Sequence, residues 1–303
     1  MGKYIVKRII LAILTIFIIS LITFFAMNAI PGGPFNSEKA KSPAVMEELE
    51  ARYGLDQPLI VQYKNYMVGV LHGDFGVSLK TDRPISDIIG ESFPISAKLG
   101  LLAALVAIVA GVVLGSIAAL MRNKWPDRII VFFVTLITSM PSFVIATLLL
   151  YFFCIKLGWV QVWSSQSHNY LLPVISLSLY PMAYITRLTK TSMLDVLGQD
   201  YVRTARAKGV SQRKVIFKHA LRNALIPVVT YIGPEIAFII TGSMVVENIF
   251  TIGGLGEKFV SCISNRDYTM IMATTLFLAT IMVFANLLTD IAYKLIDPRI
   301  SLE

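Results

Sequence analysis

The chain has 303 residues, of which 55% are hydrophobic and 15% charged, and a net charge of +8. A soluble domain carries about 25% charged residues, so the composition excludes an ordinary soluble globule and points to a membrane protein. The basic excess suits an anionic cytoplasmic leaflet or an acidic partner there, and two cysteines suggest neither a disulfide framework nor a thiolate metal site.

Lys3, Lys7 and Arg8 precede an apolar run from Ile9 to Ile30. That run exceeds the roughly 7–15 residues of a signal-peptide core, and no small-x-small cleavage site follows before Pro31, so it reads as a retained first span. Five more runs approach the roughly 20 apolar residues that a helical span needs. They lie at about 96–121, 129–152, 171–189, 224–246 and 269–293, the run at 171–189 being diluted by Pro173, Pro181, Ser and Tyr. With the N-terminus inside, segments 1–8, 122–128, 187–222 and 294–303 hold seventeen of the 27 Lys and Arg residues. The positive-inside tendency therefore favours six spans with both termini in the cytoplasm.

The expected division is 1–30 for the cytosolic end and first span, 31–95 for a helical extracytoplasmic cap, and 96–303 for a five-helix core. Within the cap, Ser42, Pro43 and Gly54 mark the start and stop of one helix on which Val45, Leu49 and Tyr53 repeat. A second helix starts at Pro58, with Ile60, Tyr63, Met67 and Val70 on one face, and HGDFG at 72–76 ends it. The cap is either a lid packed on the membrane surface or a docking platform for an external partner. Glu47, Tyr53, Asp56, Tyr63 and Asp74 are the candidate docking residues.

Helix-breaking residues concentrate in three spans. TSMPS brings Ser139, Pro141 and Ser142, the next span has Pro181, and the fifth has Gly233-Pro234, then Thr241 and Ser243. Irregular backbone at membrane depth survives where protein or water meets it, so these spans are expected to surround a pathway. Ordinary proline kinks in a packed bundle are the alternative. Glu235 lies about eleven residues into the fifth span, where an ionisable group suggests a functional site. It either attracts an amine-bearing solute or is neutralised by a partner such as Tyr231. Glu247, at the outer end, needs no special explanation.

Catalysis is not expected. His72, His168 and His219 are scattered, no HExxH, CxxC or GxSxG occurs, and no metal site is indicated. GGLGEK at 253–258 lacks the Ser or Thr that follows Lys in a phosphate loop, so any ATP chemistry must come from another subunit. No nucleic-acid partner is indicated.

Between Arg187 and Arg222 stand nine Lys and Arg residues against Asp195 and Asp200. Residues 200–208 read as a short helix in which Ala205 and Ala207 make a slim surface. Gly209 follows at the position where positive φ costs least, and Ser211 is a natural cap for the next helix. That helix, carrying Phe217, Ala220, Leu221, Ala224 and Leu225, runs into the fifth span. The segment is either a rigid docking element or a lipid-headgroup anchor, and the Ala-x-Ala-x-Gly core favours docking.

YVRTARAKGVSQRKVIFKHALRNALIP, residues 201–227, resembles the cytoplasmic loop of the oligopeptide and dipeptide permeases of bacterial ABC importers. Arg203, Thr204 and Ala205 occupy the place of that family's Glu-Ala-Ala, Gly209 its glycine and Leu221 its leucine. His219 and Arg222 depart from the general pattern as the peptide branch does. YGLDQPLIVQY, GDFGVSL, VVENIFTIGGLG and NRDYTMI extend the resemblance over most of the chain, although Gly33 stands where the branch often has Asp.

The resemblance implies an all-α, six-span type I permease fold without enzymatic activity of its own, in a bacterial cytoplasmic membrane. It further implies a second, similar permease, two cytoplasmic ATPases holding ATP and Mg, and an external solute-binding protein. Arg203, Thr204, Ala205, Arg206, Ala207, Lys208, Gly209 and Ser211, within the loop 190–223, would then couple to an ATPase. Nickel and glutathione importers have permeases of similar sequence. An ATP-independent secondary transporter would leave the coupling segment unexplained.

Overall fold

The computed structural model describes residues 2–31, 33, 51, 54–164 and 167–296. The helices are α1 (Gly2–Asn28), α2 (Leu59–Leu71), α3 (Ile85–Leu120), α4 (Trp125–Ser139) and α5 (Ser142–Leu149, continued by the π-wound Leu150–Lys156). They continue with α6 (Leu171–Leu197), α7 (Asp200–Ala207), α8 (212–224), α9 (Ile226–Ile240), α10 (Met244–Ile249), α11 (Leu255–Ser264) and α12 (Tyr268–Ile296). Among the described residues the only extended pairing is an isolated bridge between Val77 and Pro84. The expected first cap helix, with Ser42, Pro43, Val45, Leu49 and Tyr53, lies outside the described residues.

Among the described residues, five stretches are long and apolar enough to span a membrane: α1, α3, α6, α9 with α10, and α12. The sixth expected span is not one helix, because α4 and α5 meet at an angle of 104°. Pro141 has no N–H to extend α4, and its ring drives Met140 to φ −98°, ψ 138°. By contrast, Pro181 and Pro234 lie inside continuous helices, so the expected breaks there do not occur. The surrounding apolar helix holds the remaining hydrogen bonds, as membrane helices allow.

The chain divides into two compact units. One comprises Met1–Ile95 and Gly253–Phe284. In it, Phe24 and Met27 of α1 pack with Leu79, Tyr268, Met272 and Leu276, against which α2 lays Tyr63, Met67 and Val70. Ile60, expected on that face, is instead 74% exposed. A second cluster joins Ile85, Ile88 and Ile89 to Leu255, Cys262, Met270 and Ala273. Burial pushes the Cys262 thiol up to about 12, which leaves it a packing group rather than a nucleophile.

The other unit comprises Ser96–Ile252 and Ala285–Glu303. Its centre is α6, against which α4, α5 and α9 pack. Helix α3 approaches through glycines. A Cβ at Gly115 would lie 2.6 Å from the Thr186 carbonyl oxygen, and one at Gly111 2.7 Å from the Ile185 side chain. Gly111 and Gly115 form a small-xxx-small pair, which lets two helices approach backbone to backbone where no hydrophobic effect drives association. Asp127, 6% exposed, accepts the Asn123 N–H at 3.0 Å and pairs with Lys190 at 2.5 Å, tying the turn before α4 to α6. Arg187 reaches Thr138 at 2.9 Å, so α6 also holds the end of α4 just before the bend.

Candidate functional site

The basic segment folds as α7, a tight reversal, and α8. Val210 N–H donates to the Ala205 carbonyl and Gly209 N–H to the Arg206 carbonyl, at 3.2 and 3.0 Å. This 6→1 and 5→2 pair is a Schellman ending, and it places Gly209 at φ +75°, as the sequence predicts. Nothing lies within 4 Å of a Cβ built on Gly209, so its requirement is conformational rather than steric.

The two faces of α7 differ. Val202 and Ala205 turn inward and pack with Val215, Val196, Leu197 and Val210. Ala205 therefore belongs to the support and not to the outer surface. Arg203, Thr204, Arg206, Ala207, Lys208, Gly209 and Ser211 are exposed. Arg203 meets Asp200 only at 3.7 Å between exposed side chains, too loosely to neutralise the surface. Ser211 makes no side-chain cap; its carbonyl accepts Val215 N–H at 3.0 Å instead.

Helix α8 is wound as a π-helix from Val215 to Leu221. That winding changes the period, so Val215 and Ala220, five apart, are both buried while Phe217 is 68% exposed. The expected packing role of Phe217 is thereby corrected. Ala220 and Ala224 rest on Ala119 of α3 and Met193 of α6. Asn223 donates to the Tyr201 hydroxyl at 2.8 Å, joining α8 to α7. Leu225 N–H donates to Leu221 and Val229 N–H to Leu225, so the backbone ladder continues from α8 into α9. A displacement of α7 thus has a hydrogen-bonded route into a spanning helix.

Most of the polar pathway candidates are engaged locally. Ser139 donates to the Thr135 carbonyl at 2.8 Å and Thr241 to that of Phe238 at 2.7 Å. Ser243 caps α10 by accepting Val246 N–H at 3.2 Å, while Glu247 Oε1 accepts Ser243 N–H at 3.1 Å. This reciprocal capping box gives Glu247, fully buried, a structural role that its place in the sequence did not call for. The short helices beginning at Ser142 and after Ser243 pack on each other and on α6. Pro141 and Ser142 are exposed at the bend. Buried Pro181 shares with Glu235 a cavity of about 10 Å³, room for one water at most. Glu235 itself is half-buried, one helical turn from Tyr231.

Of the docking candidates, Glu47 and Tyr53 lie outside the described residues. Tyr63 is committed to packing, with its hydroxyl 2.7 Å from Ser20 Oγ and its ring 5.3 Å from Phe24. Asp74 accepts Gly76 N–H at 2.8 Å and so closes the HGDFG turn, while Asp56 is exposed. Sequence reasoning missed Asp267, which is 4% exposed. Its carboxylate accepts Ser78 Oγ at 2.5 Å, Leu79 N–H at 3.1 Å and Met270 N–H at 3.2 Å, while the Thr269 hydroxyl beside it donates to the Val77 carbonyl at 2.6 Å. It pins the 77–84 turn to the start of α12. Asp two residues before a Thr at a helix start was the available signal.

Residues 111–302 match the family described as binding-protein-dependent transport system inner membrane component, and residues 1–100 match its N-terminal counterpart. The dipeptide transport system permease protein DppB of Bacillus subtilis is 46% identical, over 100% of this chain and 99% of its own length. The oligopeptide transport system permease protein OppB of Haemophilus influenzae is 44% identical and that of Escherichia coli K12 42%, each over 99% of both chains. A crystal structure of an amino acid ABC transporter with histidines superimposes with a TM-score of 0.56 over 69% of this chain and 94% of that one. At 14% identity it bears on the fold alone.

Proposed function

The chain belongs to the binding-protein-dependent transport system inner membrane component family, a family of multi-pass ABC permeases, and on that premise we propose that it serves a peptide importer. It forms half of the translocation pathway, beside a second permease, and takes oligo- or dipeptides from a solute-binding protein outside the membrane. Two ATPase subunits hold ATP and Mg in the cytoplasm and seat the exposed face of α7. Both termini lie inside, as the basic segments favour.

The observation that carries the peptide reading is full-length identity of 42–46% to permeases named for dipeptide and oligopeptide transport. The coupling reading is supported by α7 itself. Its inner face is fixed by Val202 and Ala205, its outer face is free, and its end is set by Gly209. ATP-driven closure of the ATPases would move α7, and α8 would pass that movement to α9. Membrane lipid is a secondary neighbour of the same basic surface.

The test is mild-detergent recovery of the tagged chain from its native membrane, followed by reconstitution. Two Walker-containing ATPases and a second permease should accompany it, and the liposomes should take up peptide only with ATP and binding protein. A chain recovered alone that moves solute without ATP would overturn the reading.

A further inference from the structure

Tyr180 and Tyr184 stand one turn apart on α6, and Tyr231 and Glu235 one turn apart on α9, which packs against it. The Tyr184 and Tyr231 rings stack with centroids 4.3 Å apart and planes at 29°. Tyr231 and Glu235 therefore share one side of α9, beside the Tyr184 ring. Tyr180 is 53% exposed, Tyr184 46%, and Glu235 half-buried. Among the described residues no basic side chain forms an ion pair with Glu235.

A carboxylate and three phenols on one face of two spanning helices are costly against hydrocarbon, so this face is turned to protein or water. The 10 Å³ cavity behind Glu235 is too small for a solute, which leaves the open face as the binding surface. Its chemistry is a negative charge flanked by aromatic faces. That combination attracts a cation through both Coulomb and ring-quadrupole terms, and the phenol hydroxyls accept its N–H groups.

We propose that Tyr180, Tyr184, Tyr231 and Glu235 form a transit station for a protonated amine. Resting on the function proposed above, that amine is the free amino terminus of a peptide. The Tyr184–Tyr231 stack presents an outer π-face, and Glu235, one turn from Tyr231 on the same helix, supplies the charge. Because one outer ring face of the stack and one carboxylate act on a compact ammonium group, an N-acetylated peptide loses the whole interaction.

The experiment uses the complete complex in liposomes, with binding protein pre-loaded to equal occupancy with a free-amine peptide or its N-acetylated form. The wild-type complex should move the free-amine peptide about tenfold faster. Glu235→Gln and Tyr184→Leu should reduce that preference to about twofold or less, while Tyr184→Phe, which keeps the π-face, should retain it. Equal transport of both peptides by the wild-type complex, or full preference in Glu235→Gln, would overturn the station and leave peptide import standing. A complex that hydrolyses ATP but moves neither peptide would instead overturn the function on which the station rests.

Discussion

Lys190 Nζ lies 2.5 Å from Asp127 Oδ1, joining residues 63 positions apart at one end of α4 and α6. The carboxylate is almost fully buried and also accepts the Asn123 N–H, so the pair fixes both a turn and a helix crossing. Removing one partner leaves a buried charge uncompensated, whereas removing both does not. Asp127→Ala and Lys190→Ala should each lower the melting temperature of the detergent-solubilised chain. The double variant should fall less than the two single losses added together, with a coupling of about 1 kcal/mol. Additive losses would show that the two side chains act independently.

Gly209 tests the coupling segment. At φ +75° a β-branched residue is strained, while asparagine tolerates the left-handed region. Open space around the position removes any steric objection to a larger side chain. Gly209→Val should therefore distort the end of α7 and lower binding-protein-stimulated ATPase activity several-fold, with the chain still assembled. Gly209→Asn should keep most of that stimulation. Equal activity in both variants would separate the turn from coupling.

The glycine seam of α3 makes a sharper structural prediction. A leucine at Gly115 meets the Thr186 carbonyl and the Thr189 side chain, each 2.6 Å from its Cβ, so α3 must move away from α6. Overpacking of this kind costs roughly 1–3 kcal/mol or more. Gly115→Leu should thus reduce the yield of folded, monodisperse protein. Gly90→Leu, where nothing lies within 4 Å of the Cβ, serves as the control and should not.

Asp267 gathers hydrogen bonds from Ser78, Leu79 and Met270 in a buried setting. Asp267→Ala leaves those donors without their acceptor and should cost ~2–4 kcal/mol, read as a drop in melting temperature. Hydrogen exchange should accelerate at 77–84 first. Unchanged exchange there would mean that the turn is held by other contacts.

Tyr63 separates packing from docking on α2. Its hydroxyl meets Ser20 and its ring meets Phe24. Tyr63→Phe should cost about 1 kcal/mol and leave binding-protein-driven transport unchanged. A large transport loss at near-native stability would return Tyr63 to the docking surface.

The spans, the tight turn at Gly209 and the start of α2 after Pro58 were legible because each rests on a local rule: apolar length, positive φ, or the missing proline N–H. Phe217 and Ile60 were misplaced because the face of a helix depends on its winding and on what packs against it. In α8 the π-wound turn moves the buried positions to Val215 and Ala220. Ser211 and Ser243 have the same intrinsic capping preference, yet only Ser243 accepts a backbone N–H through its side chain. The Gly111–Gly115 pair was written in the chain, but its meaning required the backbone of α6 at Thr186.

Composition, apolar run length and the spacing around Gly209 by themselves determined a helical membrane protein with a tight turn on a basic loop. Those features are local, since a span is set by about 20 consecutive residues and a helix end by three or four. Tertiary structure alone decided which polar groups remained available for function. Asp267 is taken up by Ser78 and Leu79, Asp127 by Lys190 and Tyr63 by Ser20, each partner far away along the chain, whereas Glu235 is left beside Tyr231 on an open face. The physical reason is that a polar side chain satisfies its hydrogen bonds with whatever the fold places within about 3 Å, and no spacing along the chain encodes that neighbour.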